Sequence, residues 1–289
     1  MGSGTWNRAS FSDYSRRAGR KISASGDIIG NYSAQEMFRS RGIADVLDPY
    51  GVVRECCDSE EHPETVPVIL ALDVTGSMGS AAVEVAKRLN TVMTKLYEQT
   101  KDVEFMIMGI GDLAYDRAPI QASQFESDIR IAEQLDKLYF EAGGGGNLFE
   151  SYTAAWYFAL NNTRLDCHSR GKKGLIITMG DEPLNPYLPK EPLEASLGVN
   201  NEKDIETKEL YGEVTEKFEV YHLAVIDPRS NGARYEDKIM QSFGEYLDKE
   251  HLKKVNLSNI TPTIINIVTA FAEGKTAEEK SGIRKLISW

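Results

Sequence analysis

Apolar residues fall along this chain in two alternating patterns. The continuous run Val68–Leu72 and the mainly apolar stretches Val103–Ile110, Leu175–Met179 and Phe218–Ile226 are bounded by turn residues. Such runs predict strands buried on both faces, as in a parallel sheet. Between them the spacing turns helical. Ala82, Val85, Leu89, Val92 and Leu96, widened by Ala86 and Met93, predict a helix over about 80–98 with Ser80 as its N-cap. Further helices are expected at about 127–140, Leu148–Leu160 (aromatic on several faces, hence buried), 202–217 and 235–248. A last strand at 251–257 precedes a closing helix, with Thr261 as N-cap and Pro262 at its first position. Its core face is Ile264, Ile265, Ile267, Val268 and Phe271. Ala118–Phe125 reads as an edge strand, because Pro119 disfavours a central place. Strands thus alternate with helices from 66 to 272. The fold class is α/β, with a mostly parallel central sheet and helices on both faces.

The first part of the chain lacks this order. Residues 1–33, rich in Ser, Gly, Arg and Asn, show no sustained periodicity and read as irregular or mobile. Ala34–Arg41 suits a short helix, and Asp48–Pro67, punctuated by Pro49, Gly51, Pro63 and Pro67, reads as a structured lead-in. The expected division is an N-terminal extension over 1–65, an α/β domain over 66–273 and a tail over 274–289.

Charge sharpens the division. The 289 residues carry a formal net charge of -11, which argues against nucleic acid as the main ligand. Residues 1–42 hold seven bases against three acids, a net of +4 that leaves -15 for the remainder. A basic arm ahead of an acidic body suits docking on that body or on an anionic partner. No apolar run reaches the roughly 18 residues of a membrane span, and no signal-peptide core opens the chain. Trp6 stands where a myristoylation signal needs Ser or Thr. Cys56, Cys57 and Cys167 make no disulfide framework, so the expected setting is a reducing cytoplasm without membrane contact.

The chemistry gathers where the first strand ends, at Asp73-Val74-Thr75-Gly76-Ser77-Met78-Gly79. Open α/β sheets place ligands at the carboxyl ends of their strands. A carboxylate and two hydroxyls at alternate positions can aim three oxygen donors at one centre, which suits a small hard cation. Two further loops would meet there: Gly143-Gly144-Gly145-Gly146-Asn147 with Glu150 and Ser151, and Gly180-Asp181-Glu182.

This ordered set resembles the von Willebrand factor type A family over about residues 66–272. The resemblance implies a metal-ion-dependent adhesion site holding Mg²⁺, with Mn²⁺ or Ca²⁺ as substitutes. Its ligands would be Asp73, Thr75 and Ser77 from the first loop and Asp181 from the third. It implies a protein partner that completes the coordination with an Asp or Glu carboxylate, with an AAA+ ATPase as a candidate. Three departures stand out. Thr75 replaces the commoner serine. The second loop lacks the usual threonine, leaving Asn147 or Glu150 as donors. Thr178-Met179-Gly180-Asp181 sets the acid two residues later than in Thr-Asp-Gly versions. These departures resemble an intracellular microbial-type branch.

Other readings compete. Ser77 and Ser80 also suit helix caps, and Thr75 a turn. Asp73-Val74-Thr75-Gly76 resembles the nucleophile motif of haloacid-dehalogenase-like phosphotransferases, with Lys172 or Lys173 for phosphate and Asp181 for Mg²⁺. A scaffold with a non-functional metal site is a third reading. A zinc site from Cys56, Cys57 and His62, with Cys167 or His168, lacks the usual ligand spacing. Asp112 and Asp227, also at strand ends, read as turn or capping residues.

Overall fold

The computed structural model describes residues 4–141, 149–228 and 230–274. Its centre is a six-stranded sheet of β1 (Val66–Asp73), β2 (Val103–Ile110), β3 (Ile120–Ala122), β4 (Gly174–Gly180), β5 (Phe218–Val225) and β6 (Leu252–Val255). The spatial order is β6-β5-β4-β1-β2-β3, parallel throughout except for the edge strand β3, which runs antiparallel to β2. This doubly wound order reverses between β1 and β4, the place where such sheets open a crevice.

The helices are α1 (Arg8–Arg17), α2 (Ala34–Met37), α3 (Gly79–Gln99), α4 (Arg130–Leu135), α5 (Thr153–Asn161), α6 (Lys190–Leu197), α7 (Thr207–Lys217), α8 (Gly232–Gly244) and α9 (Ile260–Ala272). They cover both faces of the sheet, and the strand period of two divides the apolar residues between two cores. Val68, Leu70 and Leu72 of β1 face the core formed with α3 and α9, whereas Ile69 and Ala71 face that of α5, α7 and α8. Both faces of β1 and β2 are therefore sealed, which is why their sequences are mainly apolar, with Glu104 in β2 and Asp73 at the end of β1 as buried exceptions.

Several elements differ from expectation. Residues 4–33 are ordered. Asn7 Oδ1 accepts from the amides of Ala9 and Ser10 to cap α1, and a two-stranded hairpin pairs Lys21–Ile22 with Ile28–Ile29. Trp6, Phe11, Ile28, Met37, Phe38 and Leu47 lie in the same core as β1 and α3. Each such burial contributes about 1.5–3 kcal/mol, enough to order a segment with no amphipathic period of its own. The lead-in adds a strand, Arg54–Cys56, parallel to Thr163–Leu165.

The helix expected over 127–140 is confined to α4, because Tyr139 turns back onto the sheet edge. Its amide donates to Gln121 Oε1 and its carbonyl accepts from Gln121 Nε2, both at 2.9 Å. Helix α5 begins at Thr153, and Leu148 lies outside the described residues. An unexpected helix, α6, rises in the proline-rich loop; Pro192 sits in its first turn, where a missing N–H is harmless. Ahead of α7, Ile205–Glu206 pairs instead with Tyr187–Leu188. Helix α8 starts at Gly232, before the expected 235. Ser80 is inside α3, which follows directly on a 3-10 turn at Gly76–Met78, and caps nothing. Asn259, not Thr261, precedes α9, so Pro262 is its third residue.

Candidate metal centre

Strand β1 delivers Asp73 to the carboxyl edge of the sheet, fully buried. The chain then turns over Val74 and Thr75, and the turn is tied to the carboxylate that precedes it. Asp73 Oδ1 accepts from the Thr75 amide at 2.9 Å and from Thr75 Oγ1 at 2.6 Å. The other oxygen, Oδ2, accepts from the Tyr152 hydroxyl at 2.9 Å.

The third loop meets the first across the switch point. Ser77 Oγ donates to Asp181 Oδ1 at 3.0 Å, so the acid two residues later than the family pattern still reaches the first loop. Asp181 Oδ2 accepts from the Asn231 amide at 2.5 Å, and Asn231 Nδ2 donates to Glu182 Oε1 at 2.9 Å. The start of α8 thus backs the acid. Of the two second-loop donors, Asn147 lies outside the described residues. Glu150 is buried beside Asp73, and its Oε2 has no hydrogen-bond partner.

Burial raises the pKa of all four acids. For Asp73 the next cause is the negative charge of Asp181; for Glu150 it is that of Asp73. Asp181 is pushed up by burial and pulled back by the Asn231 amide and Ser77 hydroxyl, and Glu182 is raised by burial despite its bond from Asn231. Among the described residues no Lys or Arg pairs with any of the four. The cluster gathers four buried carboxyl groups without a Lys or Arg partner among the described residues, a condition under which a bound cation would favour their ionised forms.

The donor chemistry also fits a hard cation. No group of three His, Cys, Asp or Glu among the described residues is arranged to hold a metal ion. Any metal here would therefore draw on hydroxyls as well as carboxylates. Thr75 and Ser77 each give their single hydroxyl proton to a carboxylate. This leaves oxygen lone pairs for a cation. The same absence removes the zinc reading: Cys56 and Cys167 are buried free thiols, and His62 Nε2 lies 2.9 Å from the Gly4 carbonyl.

Tyr152 is the site residue that sequence reasoning missed. Its ring stands on Gly180, where a Cβ would lie 1.9 Å from the tyrosine oxygen. His222 and Phe243 hold it from behind, with ring centroids 5.2 and 5.6 Å away. The hydroxyl also accepts from the Glu182 amide at 3.3 Å, linking the first and third loops. A glycine directly before the acid of Gly180-Asp181 was the available signal.

The other strand-end acids behave as turn residues. Asp112 Oδ1 accepts from the Ala114 amide at 2.8 Å, and Asp227 sits in the tight turn closed by Ser230. The phosphotransferase arrangement is not assembled. Lys172 and Lys173 precede β4, whereas Asp181 follows its seven residues, which span roughly 20 Å at about 3.3 Å each. Lys173 Nζ donates instead to the Thr215 carbonyl at 2.5 Å.

No family model and no curated protein sequence matches the chain. Solved structures do show similar folds. The pilus adhesin SpaC from Lactobacillus rhamnosus GG is 13% identical over 77% of this chain, with a TM-score of 0.46. The match spans only 32% of SpaC. The vWF domain of the type V pili tip protein Mfa5 from Porphyromonas gingivalis is 11% identical over 73% of this chain and 96% of its own, with a TM-score of 0.46. The conserved hypothetical protein BatB from Bacteroides thetaiotaomicron is 14% identical over 72% of this chain and 99% of its own, with a TM-score of 0.42. No described helix is long and apolar enough to cross a membrane.

Proposed function

We propose that this protein is a metal-dependent protein-interaction module. Its carboxyl rim binds Mg²⁺ through Asp73, Thr75, Ser77 and Asp181, and takes an Asp or Glu side chain from a protein partner. The observation that carries this reading is the 3.0 Å bond from Ser77 to Asp181. It joins the first and third loops over the switch point, among buried acids with no Lys or Arg partner among the described residues. Bound there, the ion would supply a positive centre with open coordination positions for an incoming carboxylate.

The chain's own residues have distinct tasks in this account. Asp73 fixes the first-loop turn through Thr75 and is itself held by Tyr152. Asp181 is oriented by the amide of Asn231, so that its other oxygen faces Ser77. Glu150, with one oxygen unpartnered, is the second-loop donor among the described residues. No nucleophile is required for this role, so coordination without turnover is the chemistry we assign.

Affinity capture of partners in Mg²⁺ and in chelator tests this function. Partners should be lost in chelator and equally on Ser77→Ala. Capture that survives both treatments contradicts the proposal.

A further inference from the structure

We infer that the N-terminal extension is a buttress of the candidate metal centre, with Phe38 as its principal positioning residue. Two lines of contact connect them. In the first, α2 presses on the start of α3, just past the first site loop. A Cβ on Gly79 would lie 3.0 Å from Ala34 Cβ, and Met37 and Met78 are buried in one core.

The second line runs through the segment 136–141. Arg20, nearly buried, pairs with Asp136 at 2.8 Å and donates to the Met37 carbonyl at 2.9 Å. The Tyr14 hydroxyl also donates to Asp136, at 2.8 Å. One residue on, Ser40 Oγ donates to the Lys137 carbonyl at 2.8 Å. Phe38 then stacks on Phe140, with centroids 4.5 Å apart and planes 21° from parallel. The extension thereby grips 136, 137 and 140 in turn. The next residue touches the site: the Glu141 amide donates to the Val74 carbonyl at 3.1 Å, and the Glu141 carbonyl lies 4.0 Å from where a Gly76 Cβ would stand.

The first site loop is therefore braced at its α3 end by α2 directly and at its Val74 end through the segment 136–141 that the extension holds. Its internal bonds, from the Thr75 amide to Asp73 and from the Met78 amide to the Thr75 carbonyl, form on a platform that the extension holds in place. Phe38 has the central part because it is only 3% exposed and fills the space against Phe140, a contact that polar neighbours cannot replace. The inference concerns loop order and does not require the metal; only its functional meaning rests on the proposed reading.

Hydrogen exchange on the full chain, followed by mass spectrometry, tests it. Phe38→Ala should accelerate exchange at least tenfold in peptides covering 136–141 and 74–78, and leave 218–225 unchanged. Phe38→Leu, which refills the space, should restore most of the protection. Ile43→Ala, at a position 38% exposed in the same extension, should alter neither segment. Should Phe38→Ala fail to fold, Ser40→Ala reports the same direction with a smaller factor. Acceleration confined to 136–141, or spread uniformly over the chain, overturns the inference. A wild-type protein that binds no Mn²⁺ would sink the metal reading while leaving this exchange pattern in force.

Discussion

Gly180→Ala is the substitution that most sharply tests how the site is supported. The new Cβ would lie 1.9 Å from the Tyr152 oxygen, 2.3 Å from Cζ and 2.4 Å from Cε1. The ring has no free direction, since it is fully buried between Gly180, His222 and Phe243. Overpacking of this kind costs about 1–3 kcal/mol. Displacing the hydroxyl also breaks its 2.9 Å bond to Asp73, and an orphaned buried acceptor costs about 1–3 kcal/mol more. Together these give a loss of about 4 kcal/mol, read from urea midpoints at unchanged slope. Gly212→Ala is the control. It lies within α7 with nothing within 4 Å of a new Cβ, so it should stabilise by about 0.5–1 kcal/mol. Tyr152→Phe should cost about 1–3 kcal/mol through the orphaned acceptor alone. The reasoning fails if Gly180→Ala costs under about 1 kcal/mol or Tyr152→Phe costs nothing.

Other outcomes follow from the same contacts. Phe11→Ala should destabilise the whole domain by about 3–5 kcal/mol in a single thermal transition, because Phe11 is 1% exposed within the shared core; an unchanged midpoint would show that the extension detaches freely. Glu104, a buried residue of β2, has its pKa raised to about 7, chiefly by burial. A raised acid stabilises the fold fully below its unfolded value of about 4.5 and loses that contribution as pH climbs through about 7. Unfolding free energy should therefore fall by about 2 kcal/mol between pH 5 and pH 8 through this group, and Glu104→Gln should remove that part of the decline. If Mg²⁺ is bound, adding it at a hundredfold excess over its Kd should stabilise the fold by about 2.7 kcal/mol, and chelator should reverse this in a thermal melt.

The sheet was legible because its strands are sealed on both sides. The bounds expected for Val103–Ile110 match to the residue, and those of β1, β4 and β5 nearly so, since a strand covered on both faces favours apolar residues on both sides of the pleat. The helix ends were less legible. Ser80 and Thr261 carry capping side chains, yet α3 continues from a 3-10 turn and α9 starts from Asn259, so tertiary connection overrides local preference. The extension is less legible for a different reason. Trp6, Phe11, Ile28 and Phe38 each enter the core that β1 and α3 share, so they appear as isolated apolar residues in polar text with no period to detect. The one clear local signal there was Ser33 with Glu36, which form a reciprocal capping box at α2.

The candidate site divides along the same line. Asp73, Thr75 and Ser77 were readable because a strand end, a turn and a helix start fix three side chains within five residues. Asp181 was readable as an acid at a strand end, and its approach to Ser77 follows from β1 and β4 being neighbours. Tyr152 was hidden because its helix is apolar on every side: its ring serves the core while its hydroxyl serves Asp73. A residue with two roles looks in sequence like the larger of them.

Calorimetric titration of the full chain with Mg²⁺ tests the central claim most directly. The account predicts saturable one-to-one binding to the wild-type protein, at least tenfold weaker binding to Ser77→Ala, and none to Asp73→Ala if that variant keeps its fold. Absence of heat with both Mg²⁺ and Mn²⁺, together with an unshifted melting temperature, would contradict it.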